Sequence, residues 1–290
     1  MSRLAIILLL AFGLLAVSTA SIFVRLVPAL PAATIAFWRM AVASTVLWTY
    51  TGLRTRAVMT VLNRRLSALA GIFLGLHFAC FFAALQYTSI ANATLFSAMA
   101  PFFTVLAERF ILGRSWNSRI IIGLGTALVG AAIIQGGRFD FSDRSTIGTL
   151  LGLGAAVLIA LVLLLTERIR RDTGSLVFSR SLYLAGGLTM LVFTGLSGGR
   201  LLAVDPSDYL WLVLLGVVPT VFGHTSFYHA VKFVRPSVVA AVPLGEPLVA
   251  SALGWFLLGE AVPLHSLVGG VITLAGLFLL INQPRLKIES

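Results

Sequence analysis

Ten apolar runs, most of them near twenty residues long, follow one another along this chain of 290 residues with only short polar segments between. A bilayer core about 30 Å thick needs roughly 20 residues of helix to cross it, so each run reads as a membrane-spanning helix. The expected spans are 4–24, 32–52, 67–87, 90–112, 117–136, 146–166, 175–196, 209–230, 236–258 and 264–282. The connecting segments are short, which makes neighbouring helices antiparallel. Composition agrees: 11% of the residues are charged, where a soluble domain carries about 25%. The fold class expected is an all-α integral membrane protein of ten transmembrane helices.

The first run has a second reading. Arg3, an apolar stretch and then Ser18-Thr19-Ala20 also fit a signal peptide with a small-residue cleavage site. Against it, the run stays apolar through Val24, and the repeat described below needs this helix as a partner.

The net charge of +11 does not form a stripe of the kind nucleic acid requires. The basic residues sit between the apolar runs and alternate in density. One side receives Arg3, Arg54, Arg56, Arg64, Arg65, Arg109, Arg114, Arg119, Arg168, Arg170, Arg171, Lys232, Arg235, Arg285 and Lys287; the other receives Arg25, Arg138, Arg144 and Arg200. Arg39 and Arg180 lie within spans. The positive-inside rule puts the richer side, with both termini, in the cytoplasm, as a multi-pass protein of the cell (inner) membrane. Trp48, Tyr50, Trp116, Tyr209 and Trp211 fall near expected interfaces. Gly71 with Gly75, and Gly148 with Gly152, read as close-packing positions. Cys80 is the lone cysteine and forms no intramolecular disulfide.

The chain also resembles itself. At an offset of 146, the segment Pro101 to Arg114 lies over Pro247 to Glu260, with Pro101 on Pro247, Phe110 on Phe256 and Leu112-Gly113 on Leu258-Gly259. Gly123 then meets Gly269, Gly130 meets Gly276, Phe81 meets Phe227 and Ala84 meets Ala230; at an offset of 141, Phe37-Trp38-Arg39 meets Phe178-Ser179-Arg180. The order of these matches divides the chain into repeats at 1–140 and 141–290, each of five helices. An odd number makes the second repeat enter the membrane from the opposite side. Such inverted-topology repeats build alternating-access transporters, with sites near mid-depth.

At this point the residues resemble the drug/metabolite transporter superfamily, in its ten-helix EamA-type branch. The resemblance covers nearly the whole chain. It rests on the F-W-R of Phe37 to Arg39, the P-(x11)-G-E of Pro247 to Glu260 and the L-G-E-P around Glu246. The stretches around His224 and His77 also carry it. Arg114 departs from it, since the pattern has an acid there, and this leaves Glu260 as a loop-capping charge. The resemblance implies export of small organic metabolites, amino acids among them, often driven by the proton gradient.

Within the spans, Glu246 is the residue singled out first. An acid near mid-bilayer costs several kcal/mol, and Pro243 and Pro247 flank it, where proline frees carbonyls and permits a kink. Its repeat mate is Ala100, so the fold itself does not demand the charge. His77 and His224 could relay a proton with it, since histidine titrates near neutrality; equally, each could donate to a carbonyl and tie helices together. Tyr228 lies one turn beyond His224 on the same face. Arg39 could clamp a substrate carboxylate or anchor a helix, as could its mate Arg180. Trp38, Phe81, Phe82 and Phe96 with Phe37 could wall an apolar pocket. Thr94 and Ser97, like Ser18 and Thr19, are candidate cavity hydroxyls that can also bond back to their own helices. Pro101 and Pro247 are expected helix hinges, with Pro243 beside the latter.

No metal-ligand spacing, cofactor motif or nucleotide-binding loop appears in the sequence. The function expected is a secondary transporter that exports small organic metabolites by alternating access. The expected partners are the lipid bilayer, a small-molecule substrate and, as one coupling scheme through Glu246, protons. The rival readings are an intramembrane enzyme acting on a lipid or isoprenoid and a non-transporting sensor or assembly subunit.

Overall fold

The computed structural model describes residues 1–54, 59–88, 90–115, 118–134, 143–199, 201, 205–259 and 262–281. Trp116, Glu260 and the C-terminal Arg285 and Lys287 lie outside them. Among the described residues every regular element is a helix, and the helices trace ten spans. These are α1 (Arg3–Arg25), α2 (Ala32–Arg54), α3 (Val61–Tyr87), α4 (Ile90–Ser97 and Ala100–Phe110), α5 (Ser118–Ile134), α6 (Asp143–Arg170), α7 (Ser175–Leu196), α8 (Asp208–Ala230), α9 (Pro236–Leu258 in three pieces) and α10 (Leu264–Ile281). Seven of them (α1, α3, α6, α7, α8, α9 and α10) are long and apolar enough to cross a membrane. Of the other three, α2 carries Arg39 with several hydroxyls, α4 is broken, and α5 has 17 residues.

Helix ends depart from the expected spans where the helix outlasts its apolar run. α3 begins six residues early, at Val61, because Thr60 accepts a hydrogen bond from the Asn63 N–H and caps it there. α6 runs four residues past its apolar stretch to Arg170, whose guanidinium is buried and donates to the carbonyls of Thr173 and Tyr228. α1 is packed into the bundle. A Cβ on Gly13 would meet the Phe227 ring at 2.6 Å, and one on Gly223 would meet Val17 Cγ2 at 2.6 Å.

Two inverted repeats of five helices should place equivalent contacts about a pseudo-two-fold axis, and the glycines do so. Gly123 lies against Gly276, and its repeat mate Gly269 lies against Gly130, the mate of Gly276. The axis therefore passes between α5 and α10. Away from it, Gly71 of α3 backs onto α7 at Leu182 and Ala185, while Gly216 of α8 backs onto α2 at Val42 and Arg39. These two contacts exchange under the same operation. Gly75 continues the first of them against Thr189, and Gly148 and Gly152 of α6 abut Thr88 and Phe96. All of these small residues let backbones approach, as membrane bundles require.

Candidate substrate and proton site

The functional side chains are presented by helices that are not regular. In α9, Pro236–Ala241 gives way to a 3-10 turn at Val242–Gly245, and α-helix resumes at Glu246. Pro243 lies inside the turn, and Pro247 is the second residue of the piece that follows. α4 breaks at the equivalent place: its second piece begins at Ala100, with Pro101 second. Proline is tolerated in a first helical turn, where its missing N–H has no partner to satisfy. In both repeats, then, a proline starts the second half of a broken helix. In the second repeat the residue before it is an acid.

α8 is irregular in another way. Pro219 stands inside it, and from Gly216 to His224 the backbone winds as a π-helix. Thr220 Oγ1 bonds the Leu215 carbonyl five residues back at 2.9 Å. The wide turn also corresponds to one extra residue. Gly216 lies 145 positions after its counterpart Gly71, but Phe227 lies 146 after Phe81. Single inserted residues of this kind recur at functional sites.

The inserted turn presents Thr220 to α2, where Arg39 Nε donates to Thr220 Oγ1 at 2.6 Å. The guanidinium lies 5.7 Å from the centre of the Phe78 ring. Arg39 is within Coulombic reach of Glu246, Tyr183 and Tyr228, and of both His77 and His224. It is also the charge that acts on Glu246 from within the protein. Five residues singled out in the sequence (Arg39, His77, His224, Tyr228 and Glu246) thus come together from α2, α3, α8 and α9.

Each has a distinct setting. His77 Nδ1 donates to the Ala155 carbonyl of α6 at 2.8 Å; a carbonyl only accepts, so in the neutral ring Nε2 is left as an acceptor. His77 therefore ties α3 to α6 and still keeps one nitrogen for other work. His224 packs edge-on against Phe227, with centroids 6.1 Å apart, and lies 6.3 Å from the Tyr228 ring. Tyr228 is fully buried against Phe178 and Tyr183, and its hydroxyl has no hydrogen-bond partner among the described residues. Buried hydroxyls are nearly always satisfied, so this one is free to receive a group from outside the protein.

Other candidates lie elsewhere. Trp38 Nε1 donates to the Leu201 carbonyl at 3.0 Å, and its ring meets Tyr209 at 5.4 Å, in an aromatic group with Phe37 that joins α2 to the loop before α8. Phe81 leans on Phe82 at 5.7 Å. Phe96 and Ser97 end the first piece of α4, facing Gly152 of α6. Arg180 turns away from the cluster: it sits 4.0 Å over the Trp48 ring and donates to Thr51 Oγ1 at 2.8 Å. Ser18 and Thr19 bond the carbonyls of Leu14 and Ala16 in their own helix. Among the described residues, no group of three His, Cys, Asp or Glu side chains is placed to hold a metal ion.

Sequence reasoning missed three kinds of residue. Tyr183 Oη donates to the Thr220 carbonyl at 3.1 Å and lies 3.2 Å from Thr225 Oγ1. Thr220 itself was not singled out, though Pro219 inside an otherwise unbroken run was the available signal. The third is an ionic group at the face where α1 begins and α10 ends, here called the terminal face. Glu108 of α4 accepts from Ser237 N and Ser237 Oγ, each at 3.0 Å. Arg114 binds Glu167 of α6 through two hydrogen bonds, one at 3.0 Å, and stands 3.6 Å from Glu108. Partial burial opposes the charge on Arg114, but the hydrogen bonds and charge of Glu167, with Glu108 beyond, raise its pKa above the ordinary value.

With this geometry in hand, the comparisons are informative. The sequence pattern of the EamA-like transporter family matches the chain twice, over residues 3–135 and 146–282. The chain is 29% identical to an uncharacterized transporter of Archaeoglobus fulgidus over 75% of its own length and 76% of that protein's. It is 30% identical to a probable terminal-alkyne amino-acid exporter of Streptantibioticus cattleyicolor, over 67% of this chain and 65% of the exporter. A solved crystal structure superimposes with a TM-score of 0.83 at 18% identity, covering 96% of this chain and 98% of the other; at that identity the likeness concerns the fold.

Proposed function

This chain belongs to the EamA-like transporter family, and from that premise we propose that it exports small organic metabolites, amino acids among them, by alternating access. It is a multi-pass membrane protein whose partners are the bilayer and a small-molecule substrate. In the proposed scheme it sits in the inner membrane with the terminal face in the cytoplasm. Its repeats, 1–140 and 141–290, exchange conformations around a site near mid-depth.

One observation carries the reading. Arg39 and Glu246, opposite charges from the two repeats, act on each other beside two histidines and an unpartnered tyrosine hydroxyl. A substrate with an ionised carboxylate and amine matches such a pair, and a charge pair inside a membrane marks a transport pathway by default. Glu246 also offers a place for a proton moving inward as substrate moves out. The amino-acid exporter among the relatives supports this substrate class.

The experiment is flux of radiolabelled L-amino acids from proteoliposomes under an imposed pH gradient. Glu246→Gln keeps the shape of the side chain but holds no exchangeable acid. The expected result is loss of gradient-driven flux with exchange retained. Full gradient-driven flux in Glu246→Gln would remove the coupling role, and flux indifferent to the gradient in the unaltered protein would make it a facilitator.

A further inference from the structure

We propose that Glu108, Arg114, Glu167 and Ser237 form a one-sided latch that holds the terminal face closed and sets the resting conformation of the transporter. The inference rests on the alternating-access reading above. Its starting point is where the links run. Arg114 and Glu108 belong to the first repeat; Glu167 and Ser237 belong to the second. The hydrogen bonds among them cross the repeat boundary: Arg114 to Glu167, Ser237 N and Oγ to Glu108, and, beside these, Arg235 Nη1 to the Ser115 carbonyl at 3.5 Å; the ion pair of Arg114 with Glu108 stays within the first repeat. Opening this face by parting α4 and the segment after it from α6 and α9 must break the bonds of Glu108 and Arg114.

Both carboxylates are 3% exposed. A buried charge that loses its partner without gaining water is strongly unfavourable. The latch therefore has two stable conditions: closed with its charges paired, and open with them hydrated. Intermediate openings are unfavourable, and this is the behaviour a gate needs.

The asymmetry gives the proposal its content. At the offset of 146, Glu108 corresponds to Gly254, Ser237 to Ala91 and Arg114 to Glu260. A glycine, an alanine and an acid cannot reproduce the network at the opposite face. There, the connection that joins the repeats near Trp38 is a neutral indole hydrogen bond with aromatic packing. Exchange of two identical repeats would give inward- and outward-facing states of equal energy. The latch adds charge-assisted bonds that its repeat mates cannot reproduce and tips the balance toward closure at the terminal face.

Spin labels at Ser118 and Lys232, in a Cys80→Ser background, report the distance between repeats across the latch in the full-length protein reconstituted in lipid. Measurements are made with and without an equimolar mixture of the standard L-amino acids. Arg114→Ala and the isosteric Glu167→Gln are each expected to raise the ratio of long to short distances about tenfold. The pair Arg114→Glu with Glu167→Arg should restore the short distance. The latch is overturned if the single variants keep the distribution of the unaltered protein while that protein shifts with the amino acids. A fall in thermal stability without a shift in distances also overturns it, by making the cluster a static clamp. If the unaltered protein and every variant give one narrow distance in all conditions, alternating access itself fails.

Discussion

The contact between α5 and α10 supports a prediction with a built-in control. A Cβ added at Gly130 would come within 2.5 Å of both Thr273 N and Thr273 Oγ1, and 2.6 Å of the Gly269 carbonyl. Ordinary carbon contacts begin near 3.5 Å, so the helices must part by nearly 1 Å or bend. Gly125, on the outer face of the same helix, has nothing within 4 Å of such a carbon. Both Gly→Ala changes gain about 0.5–1 kcal/mol of helix propensity. Subtracting one from the other cancels that gain and leaves the cost of overpacking, about 1–3 kcal/mol.

The pseudo-two-fold axis sharpens the test. Gly276 is the repeat mate of Gly130, and its added Cβ would lie 2.6 Å from the Gly123 carbonyl. Gly130→Ala and Gly276→Ala should therefore destabilise by similar amounts, while Gly125→Ala is neutral or slightly stabilising. Thermal unfolding of the purified protein in mild detergent reads the three side by side. Equal midpoints for Gly130→Ala and Gly125→Ala would refute the close approach. Loss at Gly130 without loss at Gly276 would refute the axis.

Two further outcomes concern the arginines. Arg39→Lys keeps the charge but loses the Nε bond to Thr220, a charge-assisted bond of about 1.5–3 kcal/mol. Thr220→Val removes the same bond from the other side together with its own bond to the Leu215 carbonyl, so the double variant should lose less than the sum of the two singles by about the shared bond; additive losses in this cycle would mean that the bond does not form. Arg180→Gln loses the stacking on Trp48, worth roughly 0.5–2 kcal/mol. It should lower the unfolding midpoint while leaving the concentration dependence of flux unchanged, whereas a change in apparent affinity would bring Arg180 into the pathway.

The scaffold was readable because its determinants are local or periodic. Apolar length set the ten spans, the matched glycines marked where backbones touch, and Pro101 and Pro247 each stand two residues past the interruption of their helix. Glu246, His77, His224, Tyr228 and Arg39 stand out in the sequence because polar groups inside a span are rare. What was not readable depends on which distant group each one meets. Thr220 is a routine hydroxyl until the extra residue in α8 turns it toward Arg39. Arg114 looked like a departure from a motif, and only the fold shows that it reaches Glu167, 53 positions away. Glu108 was passed over although it is an acid inside a span; the costs that drew attention to Glu246 apply to it as well.

The positions where the two repeats differ can be ordered by what they do. Where repeat mates agree as glycine or proline, as at Gly123 and Gly269 or Pro101 and Pro247, the residues hold backbone together or interrupt it, and both conformations of the proposed cycle need them equally. At three places where mates disagree, the difference carries charge or redirects a side chain: Glu246 against Ala100, Glu108 against Gly254, and the inserted turn that brings Thr220 to Arg39. Strict symmetry would leave a transporter with two equivalent states and no preference between them. In the proposed cycle, coupling and direction would then arise at unmatched positions. A substitution at a matched glycine should therefore change how much folded protein exists, and one at an unmatched charged position should change which state it occupies. The Gly130 series and the Arg114 series test the two halves of that statement on one protein with two readouts.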